Sequence, residues 1–121
     1  MHTRTEELRR VITRANSLAR ARGDLYCRTD HLLEAIVTEP DSAGLRRLQA
    51  SGGQPEWFIK TLEVVREQDG ADVKAMALDA LYNGLNFKPR DTVELLENFP
   101  IGSVAERVLA IFGYDELRAL G

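Results

Sequence analysis

Cys27-Arg28-Thr29-Asp30-His31-Leu32-Leu33-Glu34-Ala35-Ile36-Val37 is the stretch from which the rest of this chain can be read. Thr29 is a side chain able to cap a helix by accepting a free first-turn N–H. Leu32, Leu33, Ile36 and Val37 follow at helical spacing, which gives one buried side. Pro40 ends the element, having no N–H to donate and a ring that clashes with the preceding turn. Immediately upstream, residues 24–28 read as an extended connector. Before them, Thr3 and Glu6 have capping-box spacing. Leu8, Val11, Ile12, Ala15, Leu18 and Ala19 then form an apolar stripe, and Gly23 suits a left-handed helix stop. Downstream, Ser42 predicts a third helix with Leu45 and Leu48 inward and Gly52 behind it. Pro55 fits the first turn of a fourth, which buries Trp57 or Phe58 with Leu62 and Val65.

The second half repeats this grammar. Asp72 precedes Val73, Met76, Ala77, Ala80 and Leu81 at helical spacing, Asn83-Gly84 breaks the pattern, and residues 86–90 form another connector. Asp91 caps a short helix with Val93, Leu95 and Leu96, closed by Pro100. Ser103 and Glu106 form a capping box ahead of Val104, Val108, Leu109 and Ile111, with Gly113 as the stop, and Asp115 starts a last turn with Leu117 and Leu120. No segment shows the strict alternation of a half-buried strand, so the chain is predicted to be all-α. Laid over each other at an offset of about 62, the halves match Val11 with Val73, Ala15 with Ala77, Arg28 with Arg90, Thr29 with Asp91 and Leu33 with Leu95. At an offset of 61, Leu48 meets Leu109 and Gly52 meets Gly113. Cap, apolar and stop positions agree together, which predicts duplication of one helical unit.

Composition narrows the function. A chain of 121 residues has room for one modest core, and 44% hydrophobic with 29% charged residues is the balance of a folded globular protein. The net charge of −3 argues against nucleic acid as the partner, since duplex binding needs a concentrated basic face. Charge is uneven: residues 1–52 hold nine Arg and seven acids, residues 53–121 seven bases and twelve acids, so the acidic half could attract a basic partner. One Cys allows no internal disulfide, which fits a reducing, cytoplasmic setting. No apolar run reaches the length of a membrane span, and the polar start is unlike a signal peptide.

Residues 3–50 resemble the N-terminal repeat of Clp-type AAA+ unfoldases. In that family an Ala- and Arg-rich helix leads through a short connector to a Thr-Glu-His-Leu-Leu helix start, here Thr29-Asp30-His31-Leu32-Leu33 with Asp for Glu. Leu48-Gln49-Ala50-Ser51-Gly52 is similar to the close of the family's third helix, and Asp91-Thr92-Val93-Glu94-Leu95-Leu96 is similar to a diverged second copy of the signature. The resemblance implies an eight-helix domain, residues 1–121, of two four-helix repeats (about 3–67 and 71–120) related by a pseudo-twofold. It implies non-catalytic recognition of protein substrates or adaptor proteins for a ClpA-, ClpB- or ClpC-type unfoldase. A free-standing adaptor or decoy that meets unfoldase subunits in trans, or an unrelated helical scaffold, are the alternatives. No phosphate-binding loop is present, so no ATP is expected on this chain.

The resemblance also ranks residues. In the ClpC branch the acid after the signature Thr receives phosphoarginine-tagged substrates; Asp30 occupies that place in the first repeat, and Thr92 in the second. Asp30, Arg28, Thr29 and Trp57 are therefore the candidate peptide- or adaptor-binding residues. A first-turn acid that complements the helix dipole is the plainer reading of Asp30. His31, Thr3, Glu6, Ser103 and Glu106 are read as structural. Cys27 and His31 are too few ligands for a metal, and no oxyanion-stabilising turn accompanies them, so no metal, cofactor or enzymatic activity is expected. Trp57 and Phe58 are adjacent: either both pack in a seam between repeats or one faces a partner.

Overall fold

The computed structural model describes residues 4–24, 27–68, 89–99 and 103–113. Six helices and no strand occur among them: α1 (Arg4–Ala21), α2 (Thr29–Thr38), α3 (Ala43–Ala50), α4 (Pro55–Gln68), α5 (Thr92–Glu97) and α6 (Val104–Ile111). The predicted helix from Asp72, the last turn from Asp115, the Thr3 cap and the eight-helix count lie outside the described residues. None of the described helices is long and apolar enough to cross a membrane.

The centre is α2, against which α1, α3, α4 and α6 all pack. It is buried nearly all round, through Asp30, His31, Leu33, Ala35, Ile36 and Val37, and so is a core helix rather than a surface amphipath. Leu8, Val11 and Ala15 of α1, Phe58, Leu62 and Val65 of α4, Leu96 of α5 and Val108 of α6 join it in one core cluster. Burying side chains of this size stabilises by about 1.5–3 kcal/mol each. One member of the predicted α1 stripe is misplaced: Ile12 is 41% exposed, because at 100° per residue it falls on the edge of the stripe beyond Ala19 and Ala15.

The helix starts explain how α2, α3, α5 and α6 meet. Ser42 accepts from the Leu45 N–H (3.1 Å), Asp91 from Glu94 N–H (2.9 Å) and Ser103 from Glu106 N–H (3.3 Å), three N-caps where the sequence predicted them. The second residues of α3 and α6 each give their N–H to a threonine from the other half of the chain. Gly44 donates to Thr92 Oγ1 (2.8 Å), and Ala105 donates to Thr29 Oγ1 (3.4 Å). Thr29 and Thr92 are both wholly buried first residues of their helices.

Thr29 is thus not the cap of α2. The N-cap is Arg28, in extended conformation (φ −105°, ψ 175°), and Thr29 has turned its hydroxyl to α6. Arg28 precedes α2 as Asp91 precedes α5, each in extended conformation, and Thr29 and Thr92 are the first residues of these two helices.

Glu7 completes the seam. Its Oε1 accepts from Ala43 N–H (2.7 Å) and from the Thr92 hydroxyl (3.0 Å), tying α1 to the starts of α3 and α5. Gly44 is needed where it stands: a Cβ there would lie 2.8 Å from Ile36 Cγ2 and 3.3 Å from Thr92 Cβ. After α3 and α6 the chain stops at Gly52 (φ 92°) and Gly113 (φ 71°), in the left-handed conformation glycine adopts without strain.

Candidate functional site

Two places in the fold carry the residues singled out by sequence. The first is the start of α2. Because Arg28 has no side chain of the kind that caps a helix, the task passes to His31 three residues on. Its Nδ1 accepts the Arg28 N–H at 2.9 Å, and its Nε2 lies 2.8 Å from Asp24 Oδ2. With Nδ1 occupied as an acceptor, the ring proton sits on Nε2 and is donated to Asp24. His31 is fully buried and both its nitrogens are spent inside the protein.

Asp30 sits beside it, also wholly buried. Arg28 grips it in a fork, Nε to Oδ1 at 3.0 Å and Nη2 to Oδ2 at 3.3 Å. From α4, Arg66 Nε reaches Oδ2 at 2.6 Å, while its Nη1 reaches Glu34 at 3.2 Å. Burial alone would push the Asp30 carboxyl up. The Arg28 hydrogen bond, with the Arg66 guanidinium behind it, overrides that and holds it at about 2. Arg28 also meets Asp24 at 3.3 Å. The network closes in charge: Arg22, Arg28 and Arg66 face Asp24, Asp30 and Glu34. Arg66 Nη2 is the one buried side-chain nitrogen without a hydrogen-bond partner among the described residues.

This placement corrects the expectation that Arg28, Thr29 and Asp30 present themselves to a ligand. Arg28 is 5% exposed and the other two 0%. Both Asp30 oxygens are held by internal arginines, and the Thr29 hydroxyl serves the α6 start. A buried, paired acid of this kind positions α2 against α4; it is not offered at the surface. Sequence could not show it, because Arg66 stands 36 residues away on another helix. Of the structural candidates, Ser103 caps α6 through the Glu106 N–H, Thr3 lies outside the described residues, and Glu6 is exposed on α1. Its neighbour Glu7, which sequence reading passed over, makes the seam contacts. Cys27 is in no disulfide and is half-buried against the core.

The second place is the outer face of α4 where it runs beside α6. Phe58 goes inward, 2% exposed, against Phe112 at 4.6 Å between ring centroids and tilted by 50°. Trp57 goes outward. It stacks on Phe112 with ring centroids 6.4 Å apart and planes within 8°, and remains 46% exposed. Of this adjacent pair one residue is thus in the core and the other on the surface, so the two do not both pack away in a seam. Val64, two turns along α4, is 50% exposed, and Ile111 of α6 is 63% exposed. Phe99 is buried. A half-exposed aromatic stacked on a second ring is already ordered and has one face free, which lowers the entropy cost of a contact made there.

Compared with known protein families, the chain matches the model of the Clp repeat (R) N-terminal domain over residues 3–75. No curated protein and no solved structure matches it.

Proposed function

The chain belongs to the Clp repeat N-terminal domain family, and on that footing we propose that it is a recognition domain without chemistry of its own. It receives unfolded protein substrates or adaptor proteins for an ATP-driven Clp-type unfoldase in the cytoplasm. The observation that carries this reading is Trp57: outward, half exposed and stacked on Phe112, with Val64 and Ile111 exposed on the same pair of helices. Aromatic side chains of this kind are the usual anchors of protein interfaces. The start of α2 supports it from the other side, since its charges are satisfied internally and serve the architecture.

The architecture belongs to the same proposal: two four-helix repeats, about 3–67 and 71–120, related by a pseudo-twofold. The reciprocal bonds from Gly44 to Thr92 and from Ala105 to Thr29 support it, because a twofold axis brings the same pair of positions together twice.

The test is binding of a permanently unfolded basic protein, fluorescein-labelled reduced ribonuclease A with its cysteines carboxamidomethylated, followed by anisotropy. Saturable binding is expected, weakened about tenfold or more by Trp57→Ala. Absence of binding, or equal binding by the folded variant, would overturn the reading.

A further inference from the structure

The surface of α4 is not merely apolar. At 100° per residue, Trp57, Thr61 and Val64 form one row, and Glu56, Lys60, Glu63 and Glu67 run along its edge. All four of these charged residues are exposed, and none makes an ion pair among the described residues. Acids therefore outnumber bases three to one on this edge. Two neighbours could have cancelled the excess and do not. Glu63 and Glu67 line a polar cavity of about 430 Å³ with Arg22, Asp24, Arg28 and Arg66, but those three arginines are already balanced by Asp24, Asp30 and Glu34. On α6, Glu106 and Arg107 offset one another.

We propose that the Trp57–Val64 row with its Glu63–Glu67 edge docks a cationic amphipathic segment of a partner protein. Its apolar side chains would meet Trp57, Val64 and Ile111, and its Lys or Arg side chains the free carboxylates. This rests on the reading of Trp57 as the contact surface and adds the chemistry of what is contacted. Apolar anchors at helical spacing match a row that itself repeats every three to four residues. Opposite charge along the edge sets orientation and excludes acidic competitors, and it acts through exposed groups that salt screens.

The experiment uses the whole chain and three labelled peptides of one length. One carries Leu at i, i+3, i+4 and i+7 with Lys on the flanks, one has Glu for every Lys, and one keeps Lys but has Ser for every Leu. Anisotropy at low ionic strength should show the Leu/Lys peptide binding about three- to tenfold more tightly than the Leu/Glu peptide. The Ser/Lys peptide should bind weakest, and the preference should shrink as salt is raised. E63Q/E67Q, which touches only exposed and unpaired groups, should erase the preference while retaining the Leu-dependent binding. Equal affinities, a preference for the Leu/Glu peptide, or a preference that survives in E63Q/E67Q would overturn the proposal. If the unfolded ribonuclease A binds and the Leu/Lys peptide does not, the cationic partner falls and the recognition reading stands; if neither binds, both fall.

Discussion

Replacing Asp30 by Asn tests whether the start of α2 is held by a buried charge. Asp30 answers two guanidinium groups, Arg28 at 3.0 and 3.3 Å and Arg66 at 2.6 Å, with no exposure to water. Removing its charge leaves Arg28 with Asp24 and Arg66 with Glu34, one carboxylate short for the buried cluster, which costs about 3–5 kcal/mol for a buried pair broken from one side. The pH dependence supplies an independent magnitude. The folded carboxyl sits at about 2 against an ordinary 3.8, a difference of about 2.5 kcal/mol. Because the folded value is the lower one, this stabilisation is fully present above the unfolded value and disappears as pH falls from about 4 to 2. Protonated Asp30 resembles Asn, so the gap between wild type and Asp30→Asn should close over that window. Urea unfolding followed by far-ultraviolet circular dichroism at pH 5.5, 4, 3 and 2 measures that gap directly, and other carboxylates cancel in the difference. A gap that changes by less than about 1 kcal/mol across the series, or a loss below about 1 kcal/mol at pH 5.5, would refute the charge network as the cause.

Other perturbations follow from the seam and the outer face. Gly44→Ala places a methyl group 2.8 Å from Ile36 Cγ2 and 3.3 Å from Thr92, so chemical denaturation should show a loss of about 1–3 kcal/mol from overpacking. Thr92→Val removes an acceptor for Gly44 N–H and a donor to Glu7, bonds of 2.8 and 3.0 Å. Melting curves should therefore show a loss of about 1 kcal/mol or more. Trp57→Ala should leave the melting temperature nearly unchanged, because the ring is half exposed, while weakening capture of unfolded protein.

Much of the framework was legible in the sequence. Side chains with a clear local preference declare themselves: Ser42, Asp91 and Ser103 cap where they were expected to, and Pro55 opens α4. Gly52 and Gly113 stop at positive φ. The failures share a cause, which is that one residue took on a task its type does not announce. Arg28 is an N-cap that leaves the capping to a histidine ring, so Thr29 looked like the cap. Asp30 looked like a solvated first-turn acid because its partner Arg66 is supplied by a distant helix. Nothing in the local sequence singles out Glu7, and only the approach of α3 and α5 gives it work. For Trp57 and Phe58, adjacency required that they diverge but not which would turn inward; the space over Gly53, where a Cβ would lie 2.6 Å from the Phe58 ring, decides it.

The central claim is that this domain binds through the outer face of α4 and α6 and uses the start of α2 only to hold its shape. Nuclear magnetic resonance of the isotopically labelled chain, titrated with unlabelled, reduced and carboxamidomethylated ribonuclease A, tests it most directly. The account predicts that the Trp57 indole N–H and the methyl groups of Val64 and Ile111 move first and furthest, while the amides of Arg28, Thr29, Asp30 and His31 stay in place. Shifts largest at Arg28, Thr29, Asp30 and His31, with the Trp57 indole unmoved, would contradict it.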